Sequence, residues 1–184
     1  MGAMTVLPRG RALTRDDLDA MPDDGHRYEL LDGMLIVSPA PRHLHQRAVA
    51  QIYRRVDDAA PAQLESLFAP FEVVLAIDTV LQPDVLVARR EDFTDRDLPA
   101  VPLLVVEVLS PSTRLYDLNT KKARYEQAGV ASFWIVDPDP HSPGVTVWEL
   151  RDGSYVESAR AVGDETLSVQ TPYPITLVPA DLVR

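Results

Sequence analysis

The chain has 184 residues, 46% of them hydrophobic and 25% charged, and carries a formal net charge of −10. That length suits one domain with a sizeable core, and the acidity counts against a protein that coats nucleic acid by neutralising phosphates. The absence of cysteine excludes a disulfide framework, a thiolate metal site and a cysteine nucleophile.

No apolar run approaches the roughly 18 residues a membrane-spanning helix needs. There is no basic-then-apolar start either, so a cytoplasmic protein is expected by elimination. Residues 1–3 precede a second methionine, Met4, as an expression scar would. Val6 stands where a myristoylation signal requires Ser or Thr. Sixteen of the 18 basic residues are Arg; the two lysines are Lys121 and Lys122. Lys and Arg are not interchangeable at a chemical site, so both positions merit notice.

In chain order, residues 14–21 predict a short helix, with Thr14 as N-cap and Asp17 three residues on. Residues 27–38 carry Asp32-Gly33 between apolar runs, a tight-hairpin signal. Residues 42–59 predict a helix, with Leu44, Ala48, Val49, Ile52 and Val56 on one stripe. Strands are expected at 71–77 and 84–88, with a turn between them, and at 103–109. A helix follows from Asp117 to Ala128, closed by Gly129. Residues 132–136 predict a strand, residues 144–158 a hairpin turning at Asp152-Gly153, and the tail from 166 an edge strand and loop. This order predicts a mixed sheet with helices packed on it, an α/β or α+β domain spanning residues 1–184.

Some polar residues stand on apolar faces. In the strand LLVVEVL, Leu103, Val105, Glu107 and Leu109 share one face, and Leu104, Val106 and Val108 the other. Both faces are apolar, the pattern of a strand covered on both sides. Glu107 must therefore be paired, protonated or metal-bound. A sheet-end ion pair with an Arg is the plainest account. Asp84 opens a second buried strand after Pro83, where turn chemistry alone could place it. Two acids entering adjacent strands suit a hard divalent cation, which seeks converging carboxylate oxygens. Lys121 lies three residues after Leu118 and four before Tyr125, inside the apolar stripe of its helix. It either snorkels to water or aims its ammonium at the acids. His45 falls inside the stripe of the 42–59 helix, and Glu29 sits among apolar neighbours in the first hairpin. A satisfied core histidine and a surface strand residue are the plain accounts of these two. No phosphate loop, dinucleotide fingerprint or G-x-S-x-G elbow is present.

Together, RYELLDGMLIVSPAP (27–41), LQPDVLVA (81–88), LLVVEVLSPSTR (103–114), YDLNTKKARYEQAGV (116–130) and FWIVDPD (133–139) resemble a known pattern. It is that of the PD-(D/E)xK nuclease superfamily, within it the bacterial Uma-type restriction endonuclease branch, largely of unknown function. The resemblance covers most of residues 14–140. It implies a restriction-endonuclease-like mixed sheet flanked by helices, with the C-terminal hairpin added. It also implies an Mg²⁺- or Mn²⁺-dependent phosphodiesterase acting on nucleic acid, DNA foremost. Asp84, Glu107 and the backbone carbonyl of Val108 would hold the metal, Glu29 would complete its shell, and Lys121 would serve the chemistry, with His45 a secondary candidate. One departure stands out: the superfamily's lysine lies two residues after the strand acid, where this chain has Leu109. Lys121 would supply the ammonium from the next helix instead. A homodimer would suit double-strand cleavage. Two other readings compete: a nuclease-fold module that binds nucleic acid or a protein without cutting, and a buried ion network that only specifies the fold.

Overall fold

The structure is a computed structural model that describes residues 8, 10–110 and 116–184. Its elements run α1 (Arg15–Asp19), β1 (Arg27–Leu31), β2 (Met34–Ser38), α2 (His43–Ala59), β3 (Leu64–Phe68), β4 (Glu72–Ala76), β5 (Thr79–Leu81), β6 (Val85–Arg89), β7 (Asp97–Leu98) and β8 (Leu104–Val108). A π-helical turn (Tyr116–Lys121) leads into α3 (Lys122–Ala128). Then follow β9 (Ser132–Asp137), β10 (Gly144–Arg151), β11 (Ser154–Val162), β12 (Leu167–Val169) and β13 (Ile175–Leu177), and a 3₁₀ turn at Pro179–Leu182. This is the mixed α+β architecture the element order predicts. No helix among the described residues is long and apolar enough to cross a membrane.

Six strands form the central sheet in the order β11-β10-β9-β8-β6-β3. The β8–β9 pair is parallel and joined through α3, as a parallel pair requires a crossover. A second sheet, β2-β1-β5-β4-β7, grows from the first hairpin. The apolar alternation of β8 divides the core. Leu104, Val106 and Val108 pack with Ala48, Ile52 and Val56 of α2 and with the C-terminal strands. Val105 and Leu109 pack on the opposite side with Leu31, Leu81, Tyr125 and Phe133. Glu107 belongs to this second side, where the first hairpin and α3 cover the central sheet.

The turns follow local chemistry. Thr14 N–H donates to Asp17 at 2.8 Å, closing the start of α1. Asp32 and Gly33 have φ of 54° and 72°, and Asp152 and Gly153 have 51° and 81°, the left-handed pair that a two-residue hairpin demands. At Gly33 a side chain is also excluded by contact, since a Cβ there would lie 2.5 Å from that of Ala12.

Some features depart from the sequence expectations. β3, β5 and β7 were not expected; the turn expected between 77 and 84 contains β5. Strands of two or three residues are too short to show a period, and Leu64–Phe68 (LESLF) mixes polar and apolar residues. The helix expected from Asp117 begins instead as a π turn at Tyr116 and becomes α-helical only at Lys122. The side chains of Asp117 and Leu118 lie outside the described residues, as do residues 111–114 of the LLVVEVLSPSTR stretch and residues 1–3. The C-terminal tail forms a pair of short strands, β12 and β13, rather than one, and Leu167, Val169, Tyr173, Ile175, Leu177 and Leu182 are buried in the core cluster that includes α2.

Candidate active site

The antiparallel register of β6 and β8 sets Val85 opposite Val106. One step further out, Asp84 meets the Glu107–Val108 end of β8, on the same face as Glu107. The Val108 N–H donates to Asp84 Oδ2 at 2.8 Å. Both acids are buried, at 3% and 1% exposure, so neither has a wet face. Glu29, on the neighbouring hairpin, is also only 1% exposed, which excludes the surface reading.

Lys121 joins them. At 2% exposure it does not snorkel. Its Nζ donates to Glu29 Oε1 and Oε2 at 3.0 and 3.2 Å and to Glu107 Oε1 at 3.3 Å. It stands at the junction of the π turn and α3; π turns recur at functional sites. Its neighbour Lys122 turns away and lies 4.0 Å over the Trp148 ring. His45 comes from the first turn of α2, its Nε2 3.2 Å from Asp84 Oδ2. Asp84 thus fixes the proton on Nε2, and His45 Nδ1 is buried with no hydrogen-bond partner among the described residues. The structure therefore brings all five side chains named from the sequence into one cluster. It lies at a cleft of about 1100 Å³ lined by Arg27, His45, Asp84, Glu107, Leu109 and Lys121, among others.

Two members of the cluster were not singled out from the sequence. Arg27 Nη1 lies 3.2 Å from Asp84 Oδ1, and its Nη2 lies 3.3 Å from Glu29 Oε1 and donates to the Gln82 carbonyl. Tyr125 Oη donates to Glu107 Oε1 at 3.0 Å. A signal existed for each. Strand alternation places Arg27 on the face of Glu29, and Tyr125 follows Lys121 by one helical turn.

Burial, the largest influence, pushes the Glu29 carboxyl upward, but Lys121, Arg27 and the Gln82 N–H outweigh it and hold the group below its ordinary value. Burial raises Asp84 too, and the bond from His45, the charges of Arg27 and His45 and the Val108 N–H reverse the sign. Burial and the charges of Glu107 and Glu29 push the Tyr125 phenol well above its usual range, so it stays a proton donor. Both carboxylates bind protons less readily folded than unfolded. Their contribution to stability is full above the ordinary values of 4.5 and 3.8 and is lost as pH falls through the lower folded values. Urea midpoints measured from pH 7 down to pH 3 are expected to fall below about pH 4.5, less steeply in Glu29→Gln than in the wild type. Equal slopes in the two would remove Glu29 from the ionised network.

The donor chemistry of carboxylate and imidazole suits a divalent cation. As placed, however, no three His, Asp or Glu side chains among the described residues are arranged to hold one. The physical reason is that protein cations and donors already occupy the facing oxygens. Arg27 covers Asp84 Oδ1, Val108 N–H and His45 take Oδ2, and Lys121 and Tyr125 meet at Glu107 Oε1.

Comparison with known proteins finds one family model and a likeness of fold. The model of the Uma2 family, described as "Putative restriction endonuclease", matches residues 15–180. Among solved structures, the chain is similar to a crystal structure, at 1.96 Å resolution, described as a "putative nuclease belonging to DUF820" from Anabaena variabilis. The TM-score is 0.70 at 19% identity, over 93% of this chain and 97% of that one, a likeness of fold. No curated protein matches the chain.

Proposed function

The chain belongs to the Uma2 family, and from that premise we propose that it hydrolyses phosphodiester bonds of nucleic acid, DNA foremost, with Mg²⁺ or Mn²⁺. One observation carries the reading. Glu107 on β8 and Asp84, the residue before β6, share one face, and Glu107 meets a buried lysine at the cleft that all three line.

Asp84, Glu107 and the Val108 carbonyl would hold the cation, which supplies a Lewis acid and lowers the pKa of a bound water. The remaining work falls to the chain's own groups. Lys121 orients the attacking water or stabilises charge developing on the phosphate. Glu29 is the group the family pattern places in the metal shell; with Oε1 on Lys121 and the Gln82 N–H, it is also well placed to hold that ammonium in position. Tyr125 fixes the rotamer of Glu107, and His45 that of Asp84. Glu107 and Val108 lie on β8, and a ligand on a strand is held more firmly than one on a loop.

A second reading has its own support. Carboxylates already compensated by Arg27 and Lys121 also fit a module that binds nucleic acid or a protein without turnover. The separating experiment incubates the protein with supercoiled plasmid, single-stranded DNA and RNA in Mg²⁺ or Mn²⁺. Cleavage of at least one substrate, abolished by EDTA, is expected of the nuclease. Binding to these substrates with no cleavage of any would establish the module. Sedimentation of the active species would settle whether two copies act together on duplex DNA.

A further inference from the structure

The cluster contains its own cation, placed where a metal ligand's oxygen would be needed. Of the two Asp84 oxygens, Oδ2 is committed to the Val108 N–H and to His45. Oδ1 is the oxygen left for a metal, and Arg27 Nη1 covers it at 3.2 Å. The same guanidinium reaches Glu29 at 3.3 Å and feels the charge of Glu107. It is thus a neighbour of all three acids.

A guanidinium and a divalent cation compete for one carboxylate oxygen: each draws on its lone pairs, and like charges repel. Arg27 is held through Nη1 by Asp84 and through Nη2 by Glu29 and the Gln82 carbonyl, yet it borders the cleft. Its side chain is 23% exposed, it lines the cleft, and its Nε is buried without a hydrogen-bond partner among the described residues. A planar, weakly hydrated guanidinium can leave one oxyanion for another more cheaply than an ammonium can. Lys121, by contrast, is 2% exposed and grips Glu29 through both oxygens.

We propose that Arg27 is a resident counter-cation that competes with the divalent metal for Asp84, so that metal binding requires Arg27 to withdraw from Oδ1 into the cleft. The inference rests on the metal-site reading above. It makes metal affinity in the free protein a property of Arg27 as much as of the acids.

The test is Mn²⁺ binding by titration calorimetry, in the absence of nucleic acid. Arg27→Gln is expected to bind Mn²⁺ more tightly than the wild type, by about 5- to 150-fold, the range of ordinary coupling between sites. Arg42→Gln removes a charge from the lining of the same cleft with no reach to Asp84 among the described contacts, and is expected to change the affinity less than about twofold. Equal tightening in both variants would reduce the effect to general charge and overturn the proposal. So would an Arg27→Gln affinity equal to or weaker than that of the wild type. If Arg27→Gln does not fold, the wild type decides: its Arg27 Nε–H resonance must shift on adding Mg²⁺, and an unmoved resonance overturns the proposal. Glu107→Gln separates the two levels. If it loses Mn²⁺ while Arg27→Gln matches the wild type, the metal site stands and the Arg27 inference falls. If it binds Mn²⁺ like the wild type, the metal-site reading falls and takes the inference with it.

Discussion

Glu107→Gln is expected to abolish metal-dependent cleavage of supercoiled plasmid while leaving the fold intact. Glutamine keeps the volume of the side chain and an oxygen that can accept the Tyr125 hydroxyl, which lies 3.0 Å from Glu107 Oε1. What it removes is the charge. A cation loses one of its two carboxylate ligands, and Lys121 loses a partner at 3.3 Å. Changing residues that merely orient a ligand typically costs about 10–100-fold in affinity or activity. Removing the ligand's charge should exceed that, so a loss of more than about 100-fold is expected. Nicking that persists equally in the variant would mean either a contaminating nuclease or a site placed wrongly. No nicking by either protein, together with binding of the plasmid, would favour the module.

Lys121→Met should be the most destabilising single change in the cluster, at about 3–5 kcal/mol, the cost of stripping one partner from a buried ion pair. The side chain is 2% exposed and two of its partners, Glu29 and Glu107, are 1% exposed. Without the ammonium, Glu29 keeps Arg27 and Glu107 keeps Tyr125, but both lose the buried cation they share. The remedy should be protonation, so the variant should regain stability, relative to the wild type, as pH is lowered. Neutralising one acid should do the same. In a double-mutant cycle by urea unfolding, Lys121→Met with Glu29→Gln is expected to cost less than the sum of the single changes by more than about 1 kcal/mol. A loss under about 1 kcal/mol for Lys121→Met alone would mean that the ammonium reaches water after all.

These two experiments also separate the nuclease from a purely structural ion network. A network kept only for fold specificity tolerates joint replacement of Asp84, Glu107 and Lys121 by apolar residues, and often gains stability from it. A functional acid cluster gains stability from added Mn²⁺, because a ligand that binds only the folded state raises its stability by mass action. The same preparations serve both measurements.

Much of the cluster was legible in the sequence because burial makes polarity conspicuous. Glu107 within LLVVEVL, Asp84 after Pro83 and Lys121 in an apolar stripe each broke a local pattern, and each side chain lies in the cluster. The two hairpin turns were equally legible, since Asp-Gly between apolar runs specifies a local backbone conformation without help from distant residues. Short strands were not legible. β5 and β7 exist because neighbouring strands hold them, and two or three residues carry no period of their own.

The sequence by itself determined the fold class, the family and which side chains could not be left alone in an apolar interior. Only the tertiary structure decided who answers them. Alternation along a strand fixes the face on which a charge stands, but its partner comes from wherever the chain returns to that face. The answer to Glu107 came from a π turn and from Tyr125 one turn later. The answer to Asp84 came from Arg27, 57 residues earlier, in a hairpin whose own sequence marks it as an ordinary strand start. That pairing puts a guanidinium on the carboxylate oxygen a metal would need. It depends on how two sheets pack, a long-range contact that no local pattern encodes.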